Sequence, residues 1–187
     1  MNNPLAVAAI VGSLRRDSYT RRLTEALAKL AGPSMRMEIV EIGALSLYNQ
    51  DDELSAPPAW SEFRARILRA DAVLFATPEY NRSVPGCLKN ALDVGSRPSG
   101  KSVWAGKPAA VMSASPGNMG AFGANQHLRQ SLVSLNMPTM QQPEAYIAGS
   151  NKLFDANGEF VNPGTRDFLA GFVRAFEAWI RLVTAGG

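Results

Sequence analysis

Three polar stretches carry most of the residues able to do chemistry, and each follows a short apolar run. The first is Ser13-Leu14-Arg15-Arg16-Asp17-Ser18-Tyr19-Thr20. It offers hydroxyls at Ser13, Ser18 and Thr20 and a fixed cation at Arg15, just ahead of a segment with helical spacing. A helix beginning there adds free N–H groups and the positive end of its dipole, so the stretch suits an anion. It has no Gly-Lys-Ser/Thr for a triphosphate, and Gly12 stands alone where a dinucleotide loop needs further glycines. A terminal phosphate is the anion that remains. The plainer role for Ser18 is a helix N-cap, which the same residue can also fill. The second stretch, Glu79 to Ser83, brings Tyr80 as an aromatic face, with Asn81 and backbone amides for the edge of a heterocycle. The third, Ser113-Ala114-Ser115-Pro116-Gly117-Asn118-Met119-Gly120, is rich in small residues that let backbone approach a flat ligand.

These stretches need elements to hold them. Leu5–Val11 and Ala72–Ala76 are almost uniformly apolar, the pattern of strands buried on both faces of a parallel sheet. Met35–Ile42 alternates polar and apolar residues, which predicts a half-exposed strand near a sheet edge. Lys107–Ser113 and Met140–Ile147 are the fourth and fifth strands. Between them fall helices with Leu23, Leu27 and Leu30 on one face, then Pro58–Ala70 with Trp60, Phe63, Ile67 and Leu68 inward. A third opens at Val84-Pro85-Gly86 with Leu88, Ala91 and Leu92, and a fourth covers about Phe122–Leu135. Asn151–Pro163 reads as a surface excursion turning at Asn157-Gly158. The last helix carries Phe168, Leu169, Phe172, Phe176, Trp179, Ile180 and Val183. Alternating strands and helices predict an α/β, doubly wound parallel sheet of five strands with helices on both faces. In the flavodoxin-like order 2-1-3-4-5 the three polar loops meet at the switch point. A phosphate at one end and a planar ring between two loops outline a flavin mononucleotide, FMN.

The composition narrows the classes. At 187 residues, 46% hydrophobic and 19% charged, residues 1–187 are most simply one globular domain. The net charge of +3 comes from scattered basic residues without a long run, so no nucleic-acid stripe is expected. A single cysteine, Cys87, allows no intrachain disulfide and fits a reducing compartment. His127 is the only histidine, which leaves a two-histidine metal site and a Cys–His dyad without partners, and no metal is expected. Neither a signal peptide nor a membrane span is expected, since Leu5–Val11 is too short to cross a bilayer, and the location expected is cytoplasmic.

Gly12-Ser13-Leu14-Arg15 with Ser18, Pro78-Glu79-Tyr80-Asn81 through Ser83, Pro85-Gly86, Leu88-Lys89-Asn90-Ala91 and Asp93 resemble the signatures of the NAD(P)H-dependent FMN reductases. Within that family they are most similar to the bacterial quinone and chromate reductase branch. The resemblance runs from Leu5 to the last helix and includes Leu47-Tyr48-Asn49 and His127-Leu128-Arg129-Gln130. It implies a flavodoxin-like fold, tight FMN, a homodimer or homotetramer, and hydride transfer from NADPH or NADH through flavin to quinones. By position it implies phosphate binding at Ser13, Arg15, Ser18 and Thr20. It implies ring contacts at Pro78, Glu79, Tyr80 and Asn81, and at Ser113, Ser115 and Gly117. Thr20 stands where the family often has asparagine, and its hydroxyl can still donate to phosphate. In such an enzyme the cofactor carries the chemistry, so no catalytic side chain is named. Asn49 and Asp51 are placed to line the mouth, and Arg16 and Arg82 are the cations available to a nicotinamide 2′-phosphate. The partners expected are a nicotinamide and a small-molecule acceptor, used by a ping-pong mechanism. The alternative is a flavodoxin-like electron carrier without its own nicotinamide turnover.

Overall fold

The computed structural model describes residues 3–186. In chain order it runs β1 (Leu5–Val11), α1 (Tyr19–Leu30), β2 (Met35–Ile39), α2 (Pro58–Arg69), β3 (Ala72–Thr77), α3 (Gly86–Ser96), β4 (Ala109–Ala114), α4 (Phe122–Ser134), β5 (Ala145–Ile147) and α5 (Pro163–Ala185). All four strand pairings are parallel and the order is β2-β1-β3-β4-β5, a flavodoxin-like sheet.

Strand side chains alternate between the two faces, and each face acquires its own core. On one, α1 and α5 press Leu23, Leu27, Phe172 and Phe176 onto Val7, Leu74 and Met112. On the other, α2, α3 and α4 press Trp60, Phe63, Leu88 and Leu128 onto Ile10, Phe75 and Val111. Every residue of β3 and β4 is buried, as an apolar run covered on both sides requires. Trp104, in the connection before β4, is fully buried between Phe63 (ring centroids 6.0 Å apart) and Phe75 (5.9 Å). Its indole N–H donates to the Leu92 carbonyl at 2.9 Å. Burying an aromatic of this size stabilises by roughly 4–6 kcal/mol. The indole lies flat against α3 at Gly95, where a Cβ would enter its van der Waals shell. A glycine inside a helix costs about 1 kcal/mol relative to alanine; here that cost makes room for the indole.

The edges of the sheet differ from the sequence expectation. β5 has three paired residues rather than the whole of Met140–Ile147. Pro143 has no N–H for the ladder, so regular pairing begins at Ala145. β2 ends at Ile39 instead of Ile42, although the Val40 amide still donates to the Ala9 carbonyl at 2.8 Å and Val40 and Ile42 stay buried. Leu68 and Phe168 face solvent, at 60% and 39% exposure, not the core. Among the described residues no helix is long and apolar enough to cross a membrane.

What matters for chemistry is the register. Val11 lies opposite Ala76 and Thr77 opposite Ser113, so β1, β3 and β4 end almost level. Their loops therefore leave the sheet side by side. Because β1 connects outward to β2 while β3 connects the other way to β4, the loops part and leave a crevice between them.

Candidate functional site

That crevice is an open cavity of about 470 Å³, counting the space continuous with solvent at its mouth. The loop after β1 contributes Ser13, Arg15 and Ser18, the start of α1 contributes Tyr19 and Thr20, and the loop after β3 contributes Pro78, Glu79 and Tyr80. The loop after β4 adds Ala114, Ser115 and Pro116, and Ser150 closes the wall from beyond β5. A hollow of about 590 Å³ lies on the sheet beside Arg36 and Arg66, but Glu38 already pairs with both arginines.

In the first loop the chain turns into α1 at Ser18, whose extended backbone and hydroxyl cap the helix by accepting the Arg21 amide at 3.2 Å. The Ser18 and Thr20 hydroxyls lie 2.9 Å apart, both buried, and Ser13 accepts the Arg15 amide at 3.4 Å. Helix geometry leaves the leading amides of α1 without acceptors inside the helix. The Arg15 guanidinium sits over the Tyr19 ring, 5.3 Å from its centroid, which holds a cation at the rim. Hydroxyls, a helix N-terminus and an arginine on one side of a cavity are the donors a phosphate needs.

The second loop is a tight reversal. Tyr80 and Ser83 exchange two backbone hydrogen bonds of 3.1 Å, and the two residues between them, Asn81 and Arg82, both have positive φ (51° and 65°). That pairing is a type I′ turn, which asparagine accepts readily and arginine does not. The turn leaves Tyr80 47% exposed over the cavity mouth and carries Asn81 outside the lining. Glu79 does something the sequence did not suggest. Its carboxylate accepts the Ala124 amide at 3.1 Å and so caps α4 from a distant loop, because Ala121 at the start of α4 has no side chain able to cap it. Its other oxygen faces Arg82 at 3.4 Å.

The third loop is fastened from below. Ser113 is fully buried; its hydroxyl donates to the Gly120 carbonyl at 2.7 Å and accepts from the Asn125 amide at 3.1 Å. Gly120 has φ +57° and packs on the Tyr146–Ile147 backbone, where a Cβ would come within 2.8 Å of the Ile147 nitrogen. Ser115 faces the cavity and its hydroxyl reaches the Gly117 carbonyl at 3.2 Å. The structure thus brings eight of the eleven expected residues to one cavity: Ser13, Arg15, Ser18, Thr20, Pro78, Glu79, Tyr80 and Ser115. Asn81 and Gly117 stay on the loop surfaces, and Ser113 belongs to the core beneath.

Nearby groups outside the lining are held by structural partners. Asn49 caps a short 3-10 helix at Asp51, and neither reaches the cavity wall. Their loop is tied to α3 by Asn90, which accepts the Tyr48 amide at 2.8 Å and donates to the Ser46 carbonyl at 2.9 Å. Hydrogen bonds from Arg97 and then Tyr48 hold the Glu53 carboxyl below the usual range, and donation to Glu53 raises the Tyr48 hydroxyl. Burial pushes the Cys87 thiol up, and its sulfur packs 3.6 Å from the Gly12 carbonyl.

Residues 5–152 match the family described as NADPH-dependent FMN reductase. The chain belongs to that family. A quinone reductase of Pseudomonas putida is 59% identical over 183 residues, 97% of this chain and 98% of that one. A 2-hydroxy-1,4-benzoquinone reductase of a Burkholderia species is 46% identical, with 95% and 97% covered. Among solved structures, the flavoenzyme NAD(P)H:(acceptor) oxidoreductase FerB from Paracoccus denitrificans superposes with a TM-score of 0.89. It shares 44% identity, with 94% of this chain and 96% of that chain covered. The stretch matched by the FMN reductase family takes in all four segments of the cavity wall and ends two residues after Ser150. Tyr19, Ala114, Pro116 and Ser150 are wall residues that motif reading passes over. Tyr19 shows itself only by stacking under Arg15, and Ser150 only through the pairing of β4 with β5.

Within this family site, the Glu79 carboxylate has a role separable from any ligand. Glu79→Ala removes the cap of α4 and is expected to lower stability by about 1 kcal/mol. Urea unfolding of the flavin-free protein reads this as a lower midpoint at unchanged slope, and Glu79→Gln, which keeps an acceptor oxygen, should lose less. An unchanged midpoint for Glu79→Ala would return the residue to a purely ligand-facing role.

Proposed function

We propose that this chain is an NAD(P)H-dependent FMN oxidoreductase that reduces quinones, with FMN held in the cavity above β1, β3 and β4. The observation that carries the reading is the donor set: hydroxyls, a helix N-terminus and Arg15 at one side, backbone of two loops at the other. These residues fit the group, since the hydroxyls and Arg15 suit a phosphate and Tyr80 and Pro116 offer flat faces to a ring. When bound, FMN supplies the hydride chemistry between NADPH or NADH and a quinone acceptor.

The chain itself binds, orients and sets the field. Ser13 donates to the phosphate, as does the Ser18–Thr20 pair through the O–H that its mutual hydrogen bond leaves free, and Arg15 meets the charge. Pro78, Glu79 and Tyr80 from one loop and Ser115 and Pro116 from the other line the ring. We assign the Glu79 carboxylate and Ser113 to holding these two loops, because α4 and the core already engage both side chains. No side chain takes an acid–base role. Tyr80 leaves the mouth open, so nicotinamide and acceptor take turns at one face, which gives ping-pong kinetics. The quinone reductases among the relatives support the choice of acceptor. We also propose a homodimer or homotetramer covering Met119, Phe122 and Val133, which are 58%, 45% and 77% exposed on or beside α4.

Three measurements test this. Arg15→Ala removes a charge-assisted contact of about 1.5–3 kcal/mol and should weaken FMN binding about 10- to 150-fold, leaving riboflavin unaffected. An Arg15→Ala protein with ordinary FMN affinity would make Arg15 a solvated loop charge. Stopped-flow mixing of the FMN-loaded protein with NADPH or NADH, without acceptor, should bleach the flavin absorbance, and steady-state lines against a quinone should be parallel. If neither nicotinamide bleaches it, the electron-carrier reading takes over. Light scattering at micromolar concentration should give a multiple of the 20.1 kDa chain, and a monomer mass would remove the assembly.

A further inference from the structure

Ser150 lies in the 3-10 turn after β5, on the wall of the cavity, and is only 3% exposed. Its hydroxyl and one Arg129 nitrogen are the buried side-chain polar atoms without a hydrogen-bond partner among the described residues. Folded chains rarely leave such an atom unpaired, so an unpaired one in a cavity wall is open to a ligand atom or a water.

The surroundings say which ligand atom. The other serine and threonine hydroxyls of the wall each meet a protein group: Ser18 with Thr20 and the Arg21 amide, Ser13 with the Arg15 amide, and Ser115 with the Gly117 carbonyl, so that Ser13 and one of the Ser18–Thr20 pair keep an O–H to give. The backbone of Ser150 is fixed, because its amide donates to the Ser115 carbonyl at 3.0 Å and the Lys152 amide closes the turn onto Gly149 at 2.8 Å. This turn packs against α1, the helix whose first turn lines the same cavity together with Arg15. A hydroxyl donor in a wall shared with a positive helix end and an arginine suits an anion better than an aromatic ring.

We propose that the Ser150 hydroxyl donates a hydrogen bond to the terminal phosphate of the bound mononucleotide, so that the segment after β5 completes a phosphate cradle begun by the loop after β1. This rests on the FMN reading above and deepens it. Ser150 becomes a residue that distinguishes FMN from riboflavin, and β5 gains a role in cofactor selection.

The test is Ser150→Ala in flavin-free protein, with FMN and riboflavin titrated separately by quenching of flavin fluorescence. Losing a hydroxyl donor to a charged oxygen should weaken FMN binding about tenfold or more, with riboflavin changed less than about twofold. Urea unfolding without flavin should show the variant as stable as the parent, since the hydroxyl has no protein partner. Inorganic phosphate should raise the melting midpoint of the parent more than that of the variant. Equal losses for FMN and riboflavin would move the contact to the ribityl chain or ring and overturn the proposal, as would no loss for either. A parent protein that binds riboflavin as tightly as FMN would instead remove the phosphate assignment on which it rests.

Discussion

The level ends of β1, β3 and β4 are the constraint on which the rest of this molecule depends. Parallel pairing places Ala76 opposite Val11 and Ser113 opposite Thr77, and burial on both faces prevents any of these strands from slipping. A shift of one residue would move every strand side chain to the wrong face. Small residues such as Ala9, Ala76 and Ala110 let the helices approach, while Ile10, Phe75 and Met112 fill the remaining space. Three loops of unrelated sequence are thereby held at one height, and a cavity can form from residues more than a hundred positions apart.

A cavity made of loops stays open only if the loops are held from outside it. The second and third loops are held by bonds that cross between elements. Glu79 reaches from the second loop to the start of α4, Ser113 and Asn125 fasten the third from below, and Ser150 hangs from the Ser115 carbonyl. The type I′ turn at Asn81-Arg82 keeps arginine in an unfavourable backbone region in order to present Tyr80 at the mouth. Strain of that kind persists only where surrounding contacts over-determine it, and it concentrates at binding sites. The site is therefore largely formed before any ligand arrives, which lowers the ordering cost of binding.

The loop after β2 shows the same economy without belonging to the cavity. Asn90 takes its backbone, Tyr48 stacks on Trp60 at 5.7 Å, and Glu53 joins Tyr48 to Arg97. Glu53 is held below its ordinary range, so its contribution is present above that range and fades as pH falls through the lowered value. These polar contacts fasten a long segment to α3 where apolar burial is sparse.

How much of this was legible beforehand depends on the range of the interaction concerned. Apolar runs at Leu5–Val11 and Ala72–Thr77, helical spacing in Tyr19–Leu30, and hydroxyls beside Arg15 act within a few residues of one another, and sequence alone determined the strands and helices and singled out the loop after β1, while the order 2-1-3-4-5 was the flavodoxin-like arrangement those elements suggested. The resemblance carried by Pro78-Glu79-Tyr80-Asn81 named the family, yet it said nothing of where each side chain points. Tertiary structure decided that. Glu79 turned to α4 because Ala121 cannot cap a helix, and Ser113 turned into the core because Gly120 and Asn125 needed a hydroxyl. Ser150 is the clearest case, since no local pattern marks a serine that reaches the cavity only when β5 pairs with β4. Hydrogen bonds between residues far apart in sequence leave no periodicity behind, and only the folded chain shows which partners meet.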